Sequence, residues 1–156
     1  MEQSFHYKDR VLPEWVDYNG HMNDAEYNRA FSLATDAFID YIGLDETARD
    51  NYAYTIFTLE THICYLKEMH EDEPFEITAR VLDYDAKRIH LFLTMKNQHG
   101  EITATLEEML MGMDQRTGRP SAFPDDVEQK IRSVYQMHAD QEHPKQAGRT
   151  IGIRRK

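Results

Sequence analysis

Asp17, Asn19, His21 and Asn23 stand at alternate positions in Asp17-Tyr18-Asn19-Gly20-His21-Met22-Asn23, directly ahead of a helix-like run. An acid, an amide and an imidazole so spaced can supply a base and an orienting group. Gly20 lets the backbone approach a ligand closely, and amides at a helix start can donate to a developing oxyanion. Asp17 reads as a general base or a nucleophile toward a carbonyl carbon, since a carboxylate near a helix N-terminus stays ionised. By residue type alone, an Asp making a turn is the commoner use, and Asn-Gly is a common turn dipeptide. Asn19 would hold Asp17 or an attacking water. His21 would donate to the carbonyl oxygen or position the carboxylate. Backbone donors from Gly20 through Met22 to Asn23 would form the oxyanion site.

A helix must hold this loop. Asn23 with Glu26 three positions on predicts an N-cap with a reciprocal carboxylate, and Asp24 suits the helix dipole. Tyr27, Ala30, Phe31, Ala34, Phe38, Tyr41 and Ile42 then recur at spacings of three and four, predicting a helix over residues 24–42 that Gly43 ends. A polar connection follows over 44–51. Period-two alternation over 57–65 predicts a strand with Phe57, Leu59, Thr61, Ile63 and Tyr65 on one face. Further strands are expected at 75–84, 89–97 and 102–114, an edge strand at 4–12 ending at Pro13, and a short helix at 125–139. One long helix followed by consecutive antiparallel strands gives an α+β fold. A single helix cannot cover both faces of such a sheet, so pairing with a second copy is expected.

With 156 residues and 40% hydrophobic content there is material for one ordinary core. One domain is expected over 1–140, followed by a basic, solvated tail over 141–156. The net charge is -10, and Lys145, Arg149, Arg154, Arg155 and Lys156 leave the rest at about -15, which argues against a nucleic-acid surface. A single cysteine, Cys64, rules out an internal disulfide and a cysteine-rich metal site; mid-strand and without a partner base, it reads as a small buried residue. His70, Glu71 and Asp72 match no zinc spacing, and no metal is expected. No run approaches the roughly 18 apolar residues of a membrane span, and the N-terminus lacks an apolar signal core. A cytoplasmic protein is expected.

Asp17-x-Asn19-x-His21-x-Asn23-x-x-x-Tyr27 resembles the catalytic loop of plant acyl-carrier-protein thioesterases and, at Asp17, Gly20 and Tyr27, that of bacterial acyl-CoA thioesterases. Tyr65-Leu66-Lys67-Glu68 is similar to the Tyr-x-x-Glu segment ending the following strand in those enzymes. Over most of its length the chain resembles hotdog-fold acyl-CoA thioesterases of the 4-hydroxybenzoyl-CoA type, nearest to the betainyl-CoA thioesterases of carnitine breakdown. The resemblance implies an antiparallel sheet wrapped around a long central helix, in a homodimer or a tetramer built from it. It implies thioester hydrolysis by Asp17 with Asn19, His21 and Glu68, near a dimer interface. Coenzyme A would be part of substrate and product, with no separate cofactor.

A betainyl group carries a quaternary ammonium, which aromatic faces attract; Trp15, Tyr18 and Tyr65 are candidates, though tyrosines at such spacings are more often core. Glu60 would suit a cationic acyl group, with a salt bridge as its plainer use. Coenzyme A phosphates would be met by scattered cations such as Lys87, Arg88 or Arg116. Two other functions fit less well. Hotdog hydratases place histidine five positions after the acid and a proline after the asparagine, whereas His21 is four after Asp17 and Gly20 follows Asn19. A non-catalytic acyl-CoA-binding module would be free to lose Asp17.

Overall fold

The run after the loop forms α1, Asp24–Tyr41, in a computed structural model that describes residues 4–155. Asn23 caps it, its Oδ1 accepting the Ala25 amide at 3.0 Å. The reciprocal half of the expected cap is not made, because the Glu26 carboxylate pairs with Arg29 at 2.7 Å instead. Gly43 ends the helix at a φ of +102°, a conformation open to a residue without Cβ. Tyr27, Ala30, Phe31, Ala34, Thr35 and Phe38 form the buried stripe. Phe38 meets Phe5 edge to face at 5.4 Å and stacks on Tyr41 at 6.1 Å.

This stripe lies against an antiparallel sheet. Its strands are β1 (His6–Arg10), β2 (Tyr54–Tyr65), β3 (Pro74–Tyr84), β4 (Arg88–Asn97) and β5 (Ile102–Asp114), in the order β1-β3-β4-β5-β2. A two-residue β6, Arg119–Pro120, pairs with β5. Alternation sends Ile77, Ala79 and Val81 of β3, and Ile89, Leu91, Leu93 and Met95 of β4, into one core with α1. As expected, β1 is an edge strand.

The other edge, β2, departs from simple alternation. A bulge between Thr58 and Glu60 inserts one residue and exchanges the faces, so Ile56, Thr58 and Thr61 line the groove beside α1. Phe57 and Leu59 are left 52% and 54% exposed rather than sharing a buried face with Thr61 and Ile63. Boundaries differ from the expected ones as well: β1 is shorter than 4–12, and β2 begins at Tyr54 rather than Phe57. The connection at 44–51 contains α2, Glu46–Tyr52, capped by Asp45 through the Ala48 amide at 2.9 Å. The last helix, α3 (Asp125–Met137), stops before Ala139 and buries Val127, Ile131 and Val134.

Beyond α3 the chain turns back over the outer face of the sheet. The Arg80 guanidinium donates to the carbonyls of His138, Gln141 and Glu142, and the Gly148 amide donates to Glu107 at 2.8 Å. The start of the expected solvated tail is therefore tied down, while Ile151 and Ile153 beyond it are exposed. No helix among the described residues is long and apolar enough to cross a membrane.

Among the described residues Glu108 is the one buried carboxylate side chain, 4% exposed on β5. Thr35 Oγ1 lies 2.9 Å from the Phe31 carbonyl and 2.6 Å from Glu108 Oε2. A hydroxyl has one proton to give; when Thr35 donates to Phe31, a neutral Glu108 completes the chain by donating to Thr35. Burial pushes this carboxyl up to about 7, and Asp36 adds to the shift. A raised acid binds more protons folded than unfolded. The stability it contributes is full below the ordinary value of 4.5 and is lost as pH rises toward about 7. The loss is at most about 3 kcal/mol, from 1.36 kcal/mol per unit. Glu108→Gln should remove this slope: urea denaturation should find the variant more stable than wild type at pH 8 and similar to it at pH 5. Parallel pH profiles would contradict the assignment.

Candidate active site

Trp15 is buried against Phe75 and anchors the start of the loop. Val16 and Met22 then bridge, and two backbone bonds of 2.9 Å, Asp17 N–H to His21 O and Gly20 N–H to Asp17 O, close the intervening turn. Gly20 makes the turn possible with a φ of +77°. Asp17 Oδ1 accepts the amides of Asn19 at 2.8 Å and His21 at 3.2 Å. The turn-making use of Asp17 and a chemical use are thus compatible, since Oδ2 accepts no bond from the described residues.

The segment leaving β2 runs beside this turn. Met22 N–H donates to Met69 O at 2.8 Å and Glu71 N–H to Gly20 O at 3.3 Å, pairing His21 with His70 as an antiparallel bridge. Glu68 Oε2 comes to 3.4 Å from His21 Nε2. Tyr65 donates its hydroxyl to the Asp24 carbonyl at 3.2 Å, and Tyr27 donates to the Lys67 carbonyl at 3.4 Å. Their rings meet edge to face at 5.3 Å. Burial raises both phenols above their ordinary value, with Glu68 and Glu73 adding to the rise at Tyr27 and Asp24 to that at Tyr65. Both remain hydroxyl donors that fasten the helix start to the end of β2.

Asp17, Asn19, Gly20, His21, Met22, Asn23, Tyr65 and Glu68 are therefore brought to one place. Trp15 belongs to the core and is not free to form a cage. Tyr18 is 97% exposed, its ring out in solvent. Glu60 lies in a separate groove on the outer face with His62, His90, Glu107, Met109 and Arg149. The expected oxyanion donors also need correction. The amides of Gly20, His21, Met22 and Asn23 are all engaged: with Asp17 O, Asp17 Oδ1, Met69 O and Trp15 O. Asp24, the first helical residue, has an amide that meets no acceptor among the described residues. Of the cations considered for phosphates, Arg88 is held by Asp85, whose carboxyl Arg88 depresses to about 2.

His70 is the neighbour that the linear pattern hides. Read with Glu71 and Asp72 it matches nothing, and the partner that gives it meaning, His21, comes from another segment of the chain. A second polar feature lies farther along α1, where Asn28, Ser32, Thr35 and Glu108 line a groove of about 340 Å³ open at the β2 edge.

The sequence profile of the thioesterase-like superfamily matches residues 11–131. A betainyl-CoA thioesterase of Pseudomonas aeruginosa is 37% identical over 148 residues, 94% of this chain and 93% of that protein. The L-carnitine dehydrogenase/betainyl-CoA thioesterase of a Rhizobium species is 36% identical over 94% of this chain, which spans 29% of that longer protein. Among solved structures, a Staphylococcus aureus protein in complex with CoA superposes with a TM-score of 0.93 at 40% identity, over 99% of this chain and 98% of that one. A DHNA-CoA thioesterase of the same organism shares the fold at a TM-score of 0.76 and 15% identity, over 89% and 95% of the two chains.

Proposed function

This chain belongs to the thioesterase-like superfamily and is an acyl-CoA thioester hydrolase of hotdog fold, and on that premise we propose that its substrate is betainyl-CoA, cleaved in carnitine breakdown. The observation that carries the substrate is the 37% identity to a betainyl-CoA thioesterase over nearly the whole of both chains. Coenzyme A is then substrate and product, not a resident cofactor.

In this reading the free Oδ2 of Asp17 is the reactive oxygen, acting as general base on a water or as nucleophile on the thioester carbon. Asn19 and His21 hold that carboxylate through their backbone amides at Oδ1, which fixes its direction without consuming Oδ2. His21, with Glu68 Oε2 at 3.4 Å from its Nε2, is the side chain beside the loop that can donate to the leaving thiolate or the carbonyl oxygen. The Asp24 amide, at the positive end of α1, is the backbone donor available to the oxyanion. The ring of Tyr65, half-exposed beside the loop, offers aromatic faces to a trimethylammonium group, and the net charge of -10 favours a cationic acyl group over an anionic one.

The working unit in this proposal is a cytoplasmic homodimer, capable of further pairing into a tetramer. Support comes from β2, a long edge strand with unpaired backbone groups and the exposed side chains Phe57 and Leu59.

Thiol release from betainyl-, acetyl-, medium-chain and aromatic acyl-CoA tests the proposal. Betainyl-CoA should give the highest kcat/KM. Preference for a medium-chain or aromatic thioester would remove the substrate assignment and leave the reaction class in place.

A further inference from the structure

We propose that His21, Glu68 and His70 form a binding site for a borderline transition-metal ion such as Zn²⁺, and that occupation of this site blocks hydrolysis. The three side chains place one ligand atom each within 4.8 Å of one another. Around a tetrahedral zinc, ligand atoms lie about 3.4 Å apart, given bond lengths of about 2.0–2.1 Å. His21 Nε2 and Glu68 Oε2 already stand at 3.4 Å. The third ligand needs to close by up to about 1.4 Å to reach the tetrahedral spacing, and the side chains of Glu68 and His70, 69% and 61% exposed, have room to do so.

The backbone holds the ligands in register. His21 and His70 face each other across an antiparallel bridge, with ring centroids 5.0 Å apart, and the flanking bonds from Met22 to Met69 and from Glu71 to Gly20 fix that pairing. Glu68, two residues from His70, projects toward His21 from the same segment. His70 also has the outer partner that ligating histidines commonly use: its Nδ1 lies 3.5 Å from Glu73 Oε1. That carboxylate also accepts the His70 amide at 3.0 Å, which locks it in place and leaves Nε2 for the ion. Two imidazoles and one carboxylate suit Zn²⁺, Ni²⁺ or Cu²⁺ far better than Mg²⁺ or Ca²⁺. Three protein ligands leave a fourth position for water.

Ion binding stands on this geometry alone, whereas inhibition rests on the reading of His21 and Glu68 given above. A metal on His21 Nε2 and Glu68 occupies both side chains at once, so neither is left to serve the thioester. Hydrolysis itself requires no metal in this account, and the ion is an inhibitor that chelators remove.

Tag-free protein titrated with Co²⁺ provides a readout independent of activity. Wild type should develop a saturable visible spectrum of histidine-ligated Co²⁺ that Zn²⁺ displaces. His70→Ala, at an exposed side chain outside the proposed catalytic set, should weaken Co²⁺ binding more than tenfold and leave metal-free thiol release unchanged. Zn²⁺ should inhibit wild type, with recovery on chelation, and inhibit His70→Ala more than tenfold more weakly. Glu68→Gln should also weaken Co²⁺ binding. Absence of a saturable Co²⁺ spectrum, or equal binding by wild type and His70→Ala, would overturn the site. Tight Co²⁺ binding without Zn²⁺ inhibition would keep the site but overturn its inhibitory role, and with it the assignment of His21 to the hydrolytic machinery.

Discussion

Asp17→Asn lowers kcat/KM for thiol release by about 10²–10⁴-fold, the range typical of a positioned acid–base group. The substitution is chosen for what it preserves. Asparagine keeps an oxygen at the position of Oδ1, so the amides of Asn19 and His21 retain their acceptor and the turn around Gly20 stays closed. What it removes is the negative charge and the free, basic Oδ2. Thermal denaturation should therefore change little while turnover collapses. The combination separates a chemical role from a turn-making one, because a residue that only shapes the loop would show little loss on this replacement. Equal rates for the two proteins would withdraw Asp17 from catalysis. Single-turnover hydrolysis in ¹⁸O water then distinguishes the two chemical roles: general-base attack puts the label in the product acid, and transfer through an acyl-aspartyl anhydride leaves label in Asp17 when water attacks the aspartyl carbon.

Phe38→Ala destabilises the fold by about 3–5 kcal/mol. Phe38 is fully buried, meets Phe5 edge to face and stacks on Tyr41, so truncation removes both transfer free energy and ring contacts and leaves a cavity in a close-packed stripe. The site is affected through α1. Phe38 fixes how the helix lies on the sheet, and the other end of the same helix carries the Asn23 cap and the Asp24 amide. Denaturant unfolding should show the midpoint falling with the slope preserved. A loss below about 1 kcal/mol, less than a typical buried methylene series gives, would mean that α1 is held chiefly by other contacts.

The helix behind the loop is legible in the chain because three signals coincide there: Asn23 as cap, acids in the first turn and an unbroken apolar stripe from Tyr27 to Phe38. The loop residues are legible for a related reason, since Asp17 through Asn23 lie close in sequence and their spacing is itself the pattern. Long-range consequences are less visible. A bulge is a matter of pairing, so nothing in Phe57-Thr58-Leu59-Glu60 announces that the faces exchange there. The seven-residue α2 buries no side chain and has no apolar stripe to show. His70 meets His21 only because two backbone segments pair, and Glu60, attractive as a pocket carboxylate, is carried by the same bulged strand to the outer face. The buried Glu108 stands beside Glu107 in sequence, and only the strand's alternation decides that one meets Thr35 and the other His90. The amides of Gly20 to Asn23 lose the oxyanion role for a comparable reason: their acceptors include Met69 and Trp15, which only the folded chain brings near.

The substrate assignment is tested most directly by comparing betainyl-CoA with 3,3-dimethylbutyryl-CoA, which has the same shape with carbon in place of the quaternary nitrogen. Only the positive charge differs. If the aromatic faces and the acidic surround recognise that charge, kcat/KM for betainyl-CoA should exceed that for the neutral thioester by about fivefold to thirtyfold, the equivalent of about 1–2 kcal/mol of cation–π attraction. Equal values, or a preference for the neutral thioester, would contradict the account.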